Sequence, residues 1–456
     1  MVNFCHVYCL ISSAQSLENK LEALQCHFTW NLDPGSHSLT FIQKIVEDFG
    51  TEEGNIWLGH IYNLQGFIQY KLGSSKEALK FFSRATETFK RLKNSDEGPW
   101  LIVNFGNLAW LHHLMGEDEK SQDYLSKGEA MMSKYPAPPE QDLHPEVCAE
   151  KAWTLMRFDE EEAAKLFQRA IEMQPNNIEW QSSWAILSAD TFRKSRNRMS
   201  PDVLEKLRSA TENDPENLYV AALYLEAQAL QIQHEVRELA KKVLERSTSR
   251  YNGITPLLRL YREYISKDEA VELAEQALKR DPDSRVLKRC AAICYVKKIF
   301  PPDFKPNTPR RTISRAITLW EEMLELYGES KLQDQITLAD LYAKVNPEKP
   351  DHIYRELLDR ENLDSAEKQM LYHFYAKYLF FNKENSHRSI AYHMKAAMIP
   401  EVSSYRQTSI NELEKTLERN KNPSKSKNRT PTNPKLIKKI TELLTSLKNQ
   451  PETQNQ

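Results

Sequence analysis

Apolar residues recur along most of the chain at helical spacing, and small residues recur with them at regular positions. The segment LQGFIQYKLGSSKEALKFFSRATETF places Gly66, Gly73, Ala78 and Ala85 around the large apolar Phe82. The same arrangement begins again in GNLAWLHHLMGEDEKSQDYLSKGEAM. Small residues are needed where two antiparallel helices approach closely, and a large apolar residue suits the contact with the next pair. The pattern therefore predicts consecutive pairs of helices.

The second half of this pattern returns further along the chain, in AAKLFQRAIEMQP, RSATENDP and EAVELAEQALKRDP. Each run is amphipathic at helical spacing, and each is stopped by a proline: Pro175, Pro215 and Pro282. The tetratricopeptide repeat, with a period of about 34 residues, has this helix–turn–helix pattern. Since β patterns are almost absent, the sequence predicts an all-α fold, a tetratricopeptide-repeat superhelix (α-solenoid) with helical insertions.

Two stretches interrupt the repeats, and a third follows them. FRKSRNRMSPD at 192–202 and KKIFPPDFKPNTPRR at 297–311 are typical of loops or insertions. NKNPSKSKNRTPTNP at 420–434 has the composition of a disordered linker, and LIKKITELLTSLK after it predicts one short amphipathic helix. We expect an N-terminal extension at 1–16, N-terminal repeats at 17–140, central repeats lining a groove at 141–300, C-terminal repeats at 301–418 and a basic disordered tail with a short helix at 419–456.

Composition narrows the chemistry that such a fold can support. Only 12 of 456 residues are glycine, which disfavours the phosphate-cradling loops and nucleophile elbows that need it. No GxGxxG, GxxxxGK[ST], HExxH or GxSxG motif occurs. The sequence therefore predicts a protein that is not an enzyme and takes no cofactor. The net charge of −2 leaves any basic surface to local segregation of charge.

The cysteines and the apolar runs indicate a cytoplasmic protein. No apolar run reaches the ~18–20 residues of a membrane span, and the apolar start VNFCHVYCLI is too short and lacks the basic residues of a signal peptide. The six cysteines are too dispersed for a disulfide framework. The spacing of half a metal-binding site occurs at Cys5, His6 and Cys9, and again at Cys290 and Cys294. Neither has a matching second half, so we expect core thiols and no metal.

Basic residues lie among apolar residues in the expected first helix of several pairs. Arg157 follows Trp153 by four residues, which predicts that both share one helix face. A single arginine usually lies on a solvated face. Several on successive first helices would instead attract phosphates in a concave groove, where Trp153 or Tyr219 could stack on a base. The further arginines of this kind are Arg259, Arg262 and Arg289.

The stretch LEALQCHFTW at 21–30, followed by these repeats, resembles the interferon-induced proteins with tetratricopeptide repeats. NLAWLHHLMG, HPEVCAEKAWTLMRF, DPENLYV, LYREY and CYVKK agree with it, and the resemblance covers roughly residues 17–400. It implies a cytosolic antiviral effector, induced by interferon, without enzymatic activity. Such proteins clamp the 5′ end of foreign single-stranded RNA, a triphosphate or a cap lacking 2′-O-methylation, in a positively charged tunnel and block its translation. Related family members or translation factors are the implied protein partners.

The same resemblance implies roles for individual residues. Trp153 matches a tryptophan that stacks on the terminal base or cap, and Arg157 stands where a phosphate-binding lysine is usual. Glu179 matches a glutamate that contacts the cap base, and Ile186 an apolar pocket residue. The remaining implied RNA-binding residues are Asn217, Tyr219, Arg259, Arg262 and, for a glutamine of the first helices, either Gln43 or the neighbouring Lys44. Arg289 is a candidate from its place among apolar residues, although Arg289–Cys290 stands where the family has a His–Gln pair.

The departures from the family pattern keep a second function open. Asp190 stands where the family has another phosphate-binding arginine, with Arg193 nearly one turn further on, and Thr255–Pro256 replaces an Arg–Tyr pair. An acid at a phosphate position would cost binding, by about 1 kcal/mol or more if partly buried. The alternative is therefore a tetratricopeptide adaptor between proteins in innate immune signalling or translation control. The basic tail would hold RNA nonspecifically or keep a disordered end soluble.

The CHFTW motif itself looks more like packing than chemistry. We expect a helix that ends at Trp30 near Asp33–Pro34 and caps the exposed core of the first repeat, with Cys26 and His27 engaged in packing and local hydrogen bonds. The apolar stripe of that helix would consist of Leu17, Leu21, Leu24 and Phe28.

Overall fold

The computed structural model describes residues 17–33, 39–48, 57–194, 200–228, 233–245, 253–301, 308–328, 331–346, 348–421 and 433–448. Within these residues all regular secondary structure is helical, and there is no strand. The helices are α1 (17–22), α2 (Leu39–Glu47), α3 (Leu58–Lys71), α4 (Ser75–Lys93), α5 (Ile102–Leu114), α6 (Asp118–Lys134), α7 (Pro145–Leu155), α8 (Glu160–Met173), α9 (Ile178–Lys194), α10 (Pro201–Asn213), α11 (Leu218–Gln228), α12 (Gln233–Glu245), α13 (Ile254–Leu260), α14 (Lys267–Arg280), α15 (Arg285–Ile299), α16 (Arg310–Tyr327), α17 (Leu332–Tyr342), α18 (Lys349–Leu358), α19 (Ser365–Phe381), α20 (Ser386–Met398), α21 (Ser404–Lys421) and α22 (Pro434–Lys448).

The helices pack in consecutive pairs, as the tetratricopeptide pattern predicts. α3 packs on α4, α5 on α6, α7 on α8 and α9 on α10. The predicted all-α superhelix of tetratricopeptide pairs is therefore confirmed. The predicted stops are also confirmed, since α8, α10 and α14 each end two residues before Pro175, Pro215 and Pro282.

Small residues create the close approach within the first described pair. A Cβ atom built on Gly66 of α3 would lie 2.6 Å from the ring of Phe82 on α4, which is fully buried. Gly59 lies about two turns before Gly66 on α3, and a Cβ atom built on it would lie 2.4 Å from the ring of Phe89. The turn between the two helices contains Gly73 at a φ of +87°, a conformation that suits glycine.

Short polar side chains begin several helices. Asp159, Ser200 and Ser266 accept hydrogen bonds from the backbone N–H groups of the residue three positions later. These contacts satisfy donors that the first turn of a helix leaves without an intrahelical partner. Pro201 at the first position of α10 adds a preformed φ angle there.

The chain divides into two compact units, residues 1–298 and 299–456. The core of the first unit runs from Trp30 and Ile42 to Leu223. In the second unit α17, α18 and α19 pack around Tyr354, and Leu436, Ile440 and Leu444 of α22 pack with Leu413 of α21. The predicted short helix after the linker corresponds to α22, whereas the linker residues 422–432 lie outside the described residues. None of the described helices has the length and apolarity required to span a membrane.

The start of the described chain differs from the expectation of one helix up to Trp30. α1 ends at residue 22, and Cys26–Trp30 forms turns. The Thr29 hydroxyl explains the change, because it donates to Leu24 O at 2.7 Å and accepts from the Cys26 N–H at 3.2 Å. Leu17, Leu21 and Leu24 pack against Ala109 and Leu125, while Phe28 packs separately, edge-on against Phe67.

Cys26 and His27 engage in packing and hydrogen bonds, as expected, but the hydrogen bonds of His27 reach distant segments and are not local. Cys26 is fully buried, and its Cβ lies 3.0 Å from the position of a Cβ on Gly106. His27 Nδ1 lies 3.1 Å from Asn107 Nδ2, and its Nε2 lies 3.1 Å from Thr154 Oγ1. The motif thus joins the turn to α5 and α7. Cys5, His6 and Cys9 lie outside the described residues.

The close approach of α3 and α4 leads to a stability prediction. We expect Gly66→Ala to lower the free energy of unfolding by about 1–3 kcal/mol, because the new methyl group overlaps the fully buried Phe82 ring and outweighs the helix propensity of alanine. Urea unfolding monitored by circular dichroism measures the change.

Gly128→Ala is the matched control, since its Cβ would meet only Phe105 Cβ at an ordinary 3.9 Å. It should leave stability unchanged or raise it by up to ~1 kcal/mol. Equal effects of the two substitutions would contradict the packing argument.

Candidate functional site

A buried polar network joins the first helices of the early repeats. Asn63 of α3 donates to Glu150 Oε1 of α7 at 2.7 Å and accepts from Asn104 Nδ2 of α5 at 2.8 Å. Trp57, just before α3, donates to Ser183 Oγ of α9 at 2.8 Å. Each of these side chains is buried, so each polar atom depends on its partner. The network therefore connects α3, α5, α7 and α9, the first helices of four consecutive pairs.

His60 is the charged centre of this network. Its Nε2 atom lies 3.0 Å from Glu179 Oε1, and its Nδ1 atom lies 3.6 Å from Glu150 Oε2. Burial alone would lower the pKa of His60, but the two carboxylates outweigh it and raise the pKa from 6.5 to about 10. Lys93 lies 3.8 Å from the other oxygen of Glu179, whose pKa is lowered by His60 and Lys93 against the opposing effect of burial. The cluster therefore contains an imidazolium and an ionised Glu179 near neutral pH.

Trp153 and Glu179, two predicted site residues, meet at this cluster. The Trp153 ring centroid lies 5.8 Å from that of His60, and the side chain is almost fully enclosed at 4% exposure. Ile186, also predicted, is buried on α9 two turns beyond Glu179. An aromatic ring, an aliphatic side chain and a carboxylate thus come from two neighbouring first helices.

The predicted position of Arg157 needs a correction. α7 ends at Leu155, and Arg157 lies in the turn that follows, where its backbone N–H donates to Thr154 O at 3.2 Å. It therefore does not share a helix face with Trp153, because the regular helix on which that spacing depends has already ended. Arg157 is half-buried, and its Nη1 atom lies 3.5 Å from Met156 O.

Four charged residues alternate in sign across α9, α11 and α13, and we call them the charge ladder: Asp190, Arg193, Glu226 and Arg259. Asp190 pairs with Arg193 one turn later on α9, and Arg193 Nη1 lies 3.6 Å from Glu226 Oε2. Arg259 donates through Nε and Nη2 to the two oxygens of Glu226, at 2.5 and 2.7 Å. Exposed fractions of 9–25% place the ladder partly in water. Its two acids balance its two arginines.

The other predicted RNA-binding residues have local partners or are buried. Asn217 accepts from the Val220 N–H at 3.2 Å and begins α11, next to the buried Tyr219. Arg262 lies in a π-helical turn after α13, where its Nε donates to Glu263 at 3.3 Å. The last two are Arg289, half-buried on α15, and Gln43, which donates to Glu47 at 2.9 Å on α2 beside Lys44.

Arg285 joins α15 to the end of α2, although more than 200 residues separate the two helices in the sequence. From α15 it donates to Asp48 Oδ1 at 2.8 Å through Nε and to Lys44 O at 2.8 Å through Nη2, and it lies 3.3 Å from Glu47. Asp48 is buried, so this contact is shielded from solvent on one side. We call these contacts of Arg285 with the end of α2 the α2 latch.

Of the candidate metal ligands of the sequence, the structure describes Cys290 and Cys294, both on α15. Within the described residues no three His, Cys, Asp or Glu side chains are placed to hold a metal ion. Cys290 and Cys294 are buried on α15, and burial raises the pKa of Cys294 to about 12, which keeps it a thiol. His112 and His113 instead pair with Glu117 and Asp118 at the start of α6.

Sequence reasoning missed several residues that organise the site. His60 and Asn63 lie among the buried apolar residues at the start of α3, which is a signal that could have singled them out. No sequence feature distinguishes the other three missed residues, because each has the pattern of an ordinary surface charge on an amphipathic helix. They are Lys93, Glu226 and Arg285.

Comparison with known proteins places the chain near one group. The human antiviral innate immune response effector IFIT1 is 26% identical over 420 residues, which cover 88% of this chain and 87% of that protein. The human interferon-induced protein with tetratricopeptide repeats 2 is 28% identical over 356 residues, 75% of this chain and 70% of that protein. No protein-family model matches the chain. The resemblance stated from the sequence is confirmed.

Solved structures agree with the fold. A human IFIT1 dimer with PPP-AAAA superposes with a TM-score of 0.70 at 24% identity, covering 95% of this chain and 96% of that one. A human IFIT1 dimer with m7Gppp-AAAA gives 0.73 at 23% identity, with 96% of each chain covered. At this identity the likeness establishes the tetratricopeptide superhelix.

The raised pKa of His60 predicts a pH-dependent stability. Because the folded pKa of about 10 exceeds the unfolded value of 6.5, this stabilisation is complete below pH 6.5 and disappears as the pH rises towards 10. We expect the free energy of unfolding of the wild-type chain to fall by about 1 kcal/mol per pH unit in this window. That of the His60→Gln variant should fall much less. Urea unfolding at several pH values measures the slopes.

His113→Gln is the matched control, because His113 also pairs with a carboxylate but at an exposed position. The free energy of unfolding of this variant should depend on pH with the same slope as that of the wild type. A His60→Gln slope equal to that of the wild type would show that His60 is not the titrating group.

The α2 latch predicts a local effect on dynamics. We expect Arg285→Ala to speed hydrogen exchange of the α2 amides about tenfold or more, because it removes charge-assisted hydrogen bonds to the end of that helix. Exchange mass spectrometry reads this directly. Arg208→Ala, which breaks an exposed pair with Glu205, should leave α2 unchanged; if α2 responds equally to both, the latch does not hold it.

Proposed function

We propose, from the premise that this chain is a relative of the interferon-induced proteins with tetratricopeptide repeats, that it binds the 5′ end of foreign RNA. The bound end is a triphosphate or a cap that lacks 2′-O-methylation, and binding blocks translation of that RNA. In this proposal the chain is an interferon-induced antiviral effector of the cytoplasm, and it acts by binding without catalysis. Relatives of the same family or translation factors are its proposed protein partners.

One observation carries the proposal beyond the likeness of sequences. Arginines recur on several repeats of the first unit: directly after α7, on α9, on α13 and the π-helical turn that follows it, and on α15. Arginine binds phosphate oxygens in pairs of hydrogen bonds and is the side chain best suited to that task. A 5′ end with several phosphates requires such a succession of donors along one surface. The arginines are Arg157, Arg193, Arg259, Arg262 and Arg289.

The cluster around His60 suits the base at that end. Trp153 offers an aromatic face for stacking, and Ile186 an apolar contact beside it. Glu179 is ionised by its contacts with His60 and Lys93, and an ionised carboxylate accepts hydrogen bonds from the N–H groups of a guanine. Because Trp153 is almost fully enclosed, a base would reach it only if neighbouring side chains move.

The second candidate is a tetratricopeptide adaptor between proteins, in innate immune signalling or translation control. The observation that favours it is the charge ladder, whose carboxylates already neutralise Arg193 and Arg259. Partners that co-purify from interferon-treated cells after RNase digestion, together with no binding to any RNA end, would favour the adaptor.

A panel of RNAs of identical sequence tests the first proposal. We expect the chain to bind 5′-triphosphate or capped RNA at least ~10-fold more tightly than 5′-hydroxyl RNA at ~0.15 M salt, because only the former offer phosphates to the arginines. Arg157→Glu should remove most of this preference and leave the weak 5′-hydroxyl binding unchanged. Fluorescence anisotropy over a salt series provides the constants.

Arg208→Glu on α10 is the control for charge alone, since Arg208 is exposed and contacts only Glu205 and Glu212 of its own helix. It should retain the preference for phosphorylated ends. Equal affinity for all three RNAs, or none for any, would refute a 5′-end clamp.

A further inference from the structure

Glu226 and Arg259 form a two-point contact within the charge ladder. Arg259 gives one whole edge of its guanidinium, Nε and Nη2, to both carboxylate oxygens. A phosphate held by arginine in two hydrogen bonds uses the same kind of edge. Glu226 therefore occupies the position on Arg259 that a phosphate would take. Its own side chain is 9% exposed, so water does little to screen its charge.

Asp190 has the corresponding relation to Arg193. The two pair within one turn of α9, and Arg193 also approaches Glu226. Burial lowers the pKa of Arg259, but the Glu226 carboxylate outweighs burial and raises it above its usual range. Each carboxylate of the ladder thus faces an arginine, and each arginine faces a carboxylate. A phosphate that enters must displace a carboxylate or lie beside one.

We propose that Glu226 and Asp190 are specificity-determining residues that disfavour a 5′-triphosphate and leave the capped end as the preferred ligand. This inference rests on the proposed function, since it names which of the two RNA ends that site takes. It depends on the contacts within the ladder and on the chemistry of the two ends.

The two RNA ends differ in the charge that they bring to the ladder. The terminal group of a triphosphate is a phosphate monoester-like group with a second ionisation near pH 6, so it is almost doubly charged at neutral pH. In a cap every phosphate bridges two groups and has no such second ionisation. The capped end also brings a methylated guanine with a positive charge. Beside two partly buried carboxylates, the end with less negative charge is repelled less.

Neutral isosteres of the two acids test the inference. We expect wild-type protein to bind capped RNA lacking 2′-O-methylation more tightly than 5′-triphosphate RNA. In the double variant Asp190→Asn, Glu226→Gln the affinity for 5′-triphosphate RNA should rise at least ~10-fold more than that for capped RNA. The slope of log affinity against log salt should steepen by about one to two for the triphosphate.

Glu205→Gln is the matched control. Glu205 holds Arg208 through Nε and Nη2 at 3.0 and 2.6 Å, the same two-nitrogen contact as in the ladder, but at an exposed position of α10. It should leave both affinities unchanged. Thermal unfolding of each variant checks that the fold is kept. If the double variant unfolds, the single variant Asp190→Asn, at a more exposed position, replaces it in the test. Its affinity for 5′-triphosphate RNA should rise in the same direction by a smaller factor.

The outcomes separate this inference from the proposed function. If wild-type protein prefers phosphorylated or capped ends but the variants leave their ratio unchanged, the function stands and the inference is wrong. A wild-type preference for the triphosphate over the cap also overturns it. If wild-type protein binds all RNA ends with equal affinity, the proposed function fails, and the inference that rests on it fails as well. Absence of binding by every variant refutes both.

Discussion

The imidazolium of His60 between Glu150 and Glu179 is the interaction on which the arrangement of the first unit depends. It joins α3 to α7 and α9, helices that are far apart along the chain. Two buried carboxylates that face each other without a cation would repel strongly and would be expensive to desolvate. The cation makes their approach favourable, and Asn63 and Lys93 satisfy further oxygens of the pair. Trp153 packs beside this centre, so its position follows from the same contact.

The helical pairing could be predicted from sequence because its causes are local. Gly66 and Phe82 belong to one helix pair, and the reason for a small residue at Gly66 is the ring of its neighbour. Proline stops and polar helix starts act over three or four residues and leave a readable mark. The same locality explains the error at CHFTW, where Thr29 redirects the backbone by bonding to Leu24 O and ends a helix that the apolar spacing alone would continue.

The site could be predicted only in part, because its chemistry depends on contacts between distant segments. The family resemblance pointed to Trp153, Glu179 and Arg259, and the structure places each on a first helix. The resemblance could not give the partners of these residues, because His60 is distant in sequence from Glu179, and Glu226 from Arg259. The contact between Arg285 and Asp48 spans more than 200 residues in the same way. Their roles in binding stay predictions. A carboxylate on an amphipathic helix has the same appearance in a sequence whether it faces water or an arginine of the next repeat.

Together these contacts make the first unit a surface whose arginines are held in place before any ligand arrives. Paired arginines have lost rotamer freedom during folding, so a ligand that replaces the carboxylate does not have to order them again. The same pairing means that a phosphate gains only the difference between its own contact and the carboxylate contact that it displaces. Binding strength in such a surface depends less on the number of arginines than on how firmly each is already held. Arg259, which donates two hydrogen bonds to the two oxygens of Glu226, is an arginine held in this way. A phosphate that binds Arg259 therefore gains only what exceeds the two hydrogen bonds that Glu226 already makes.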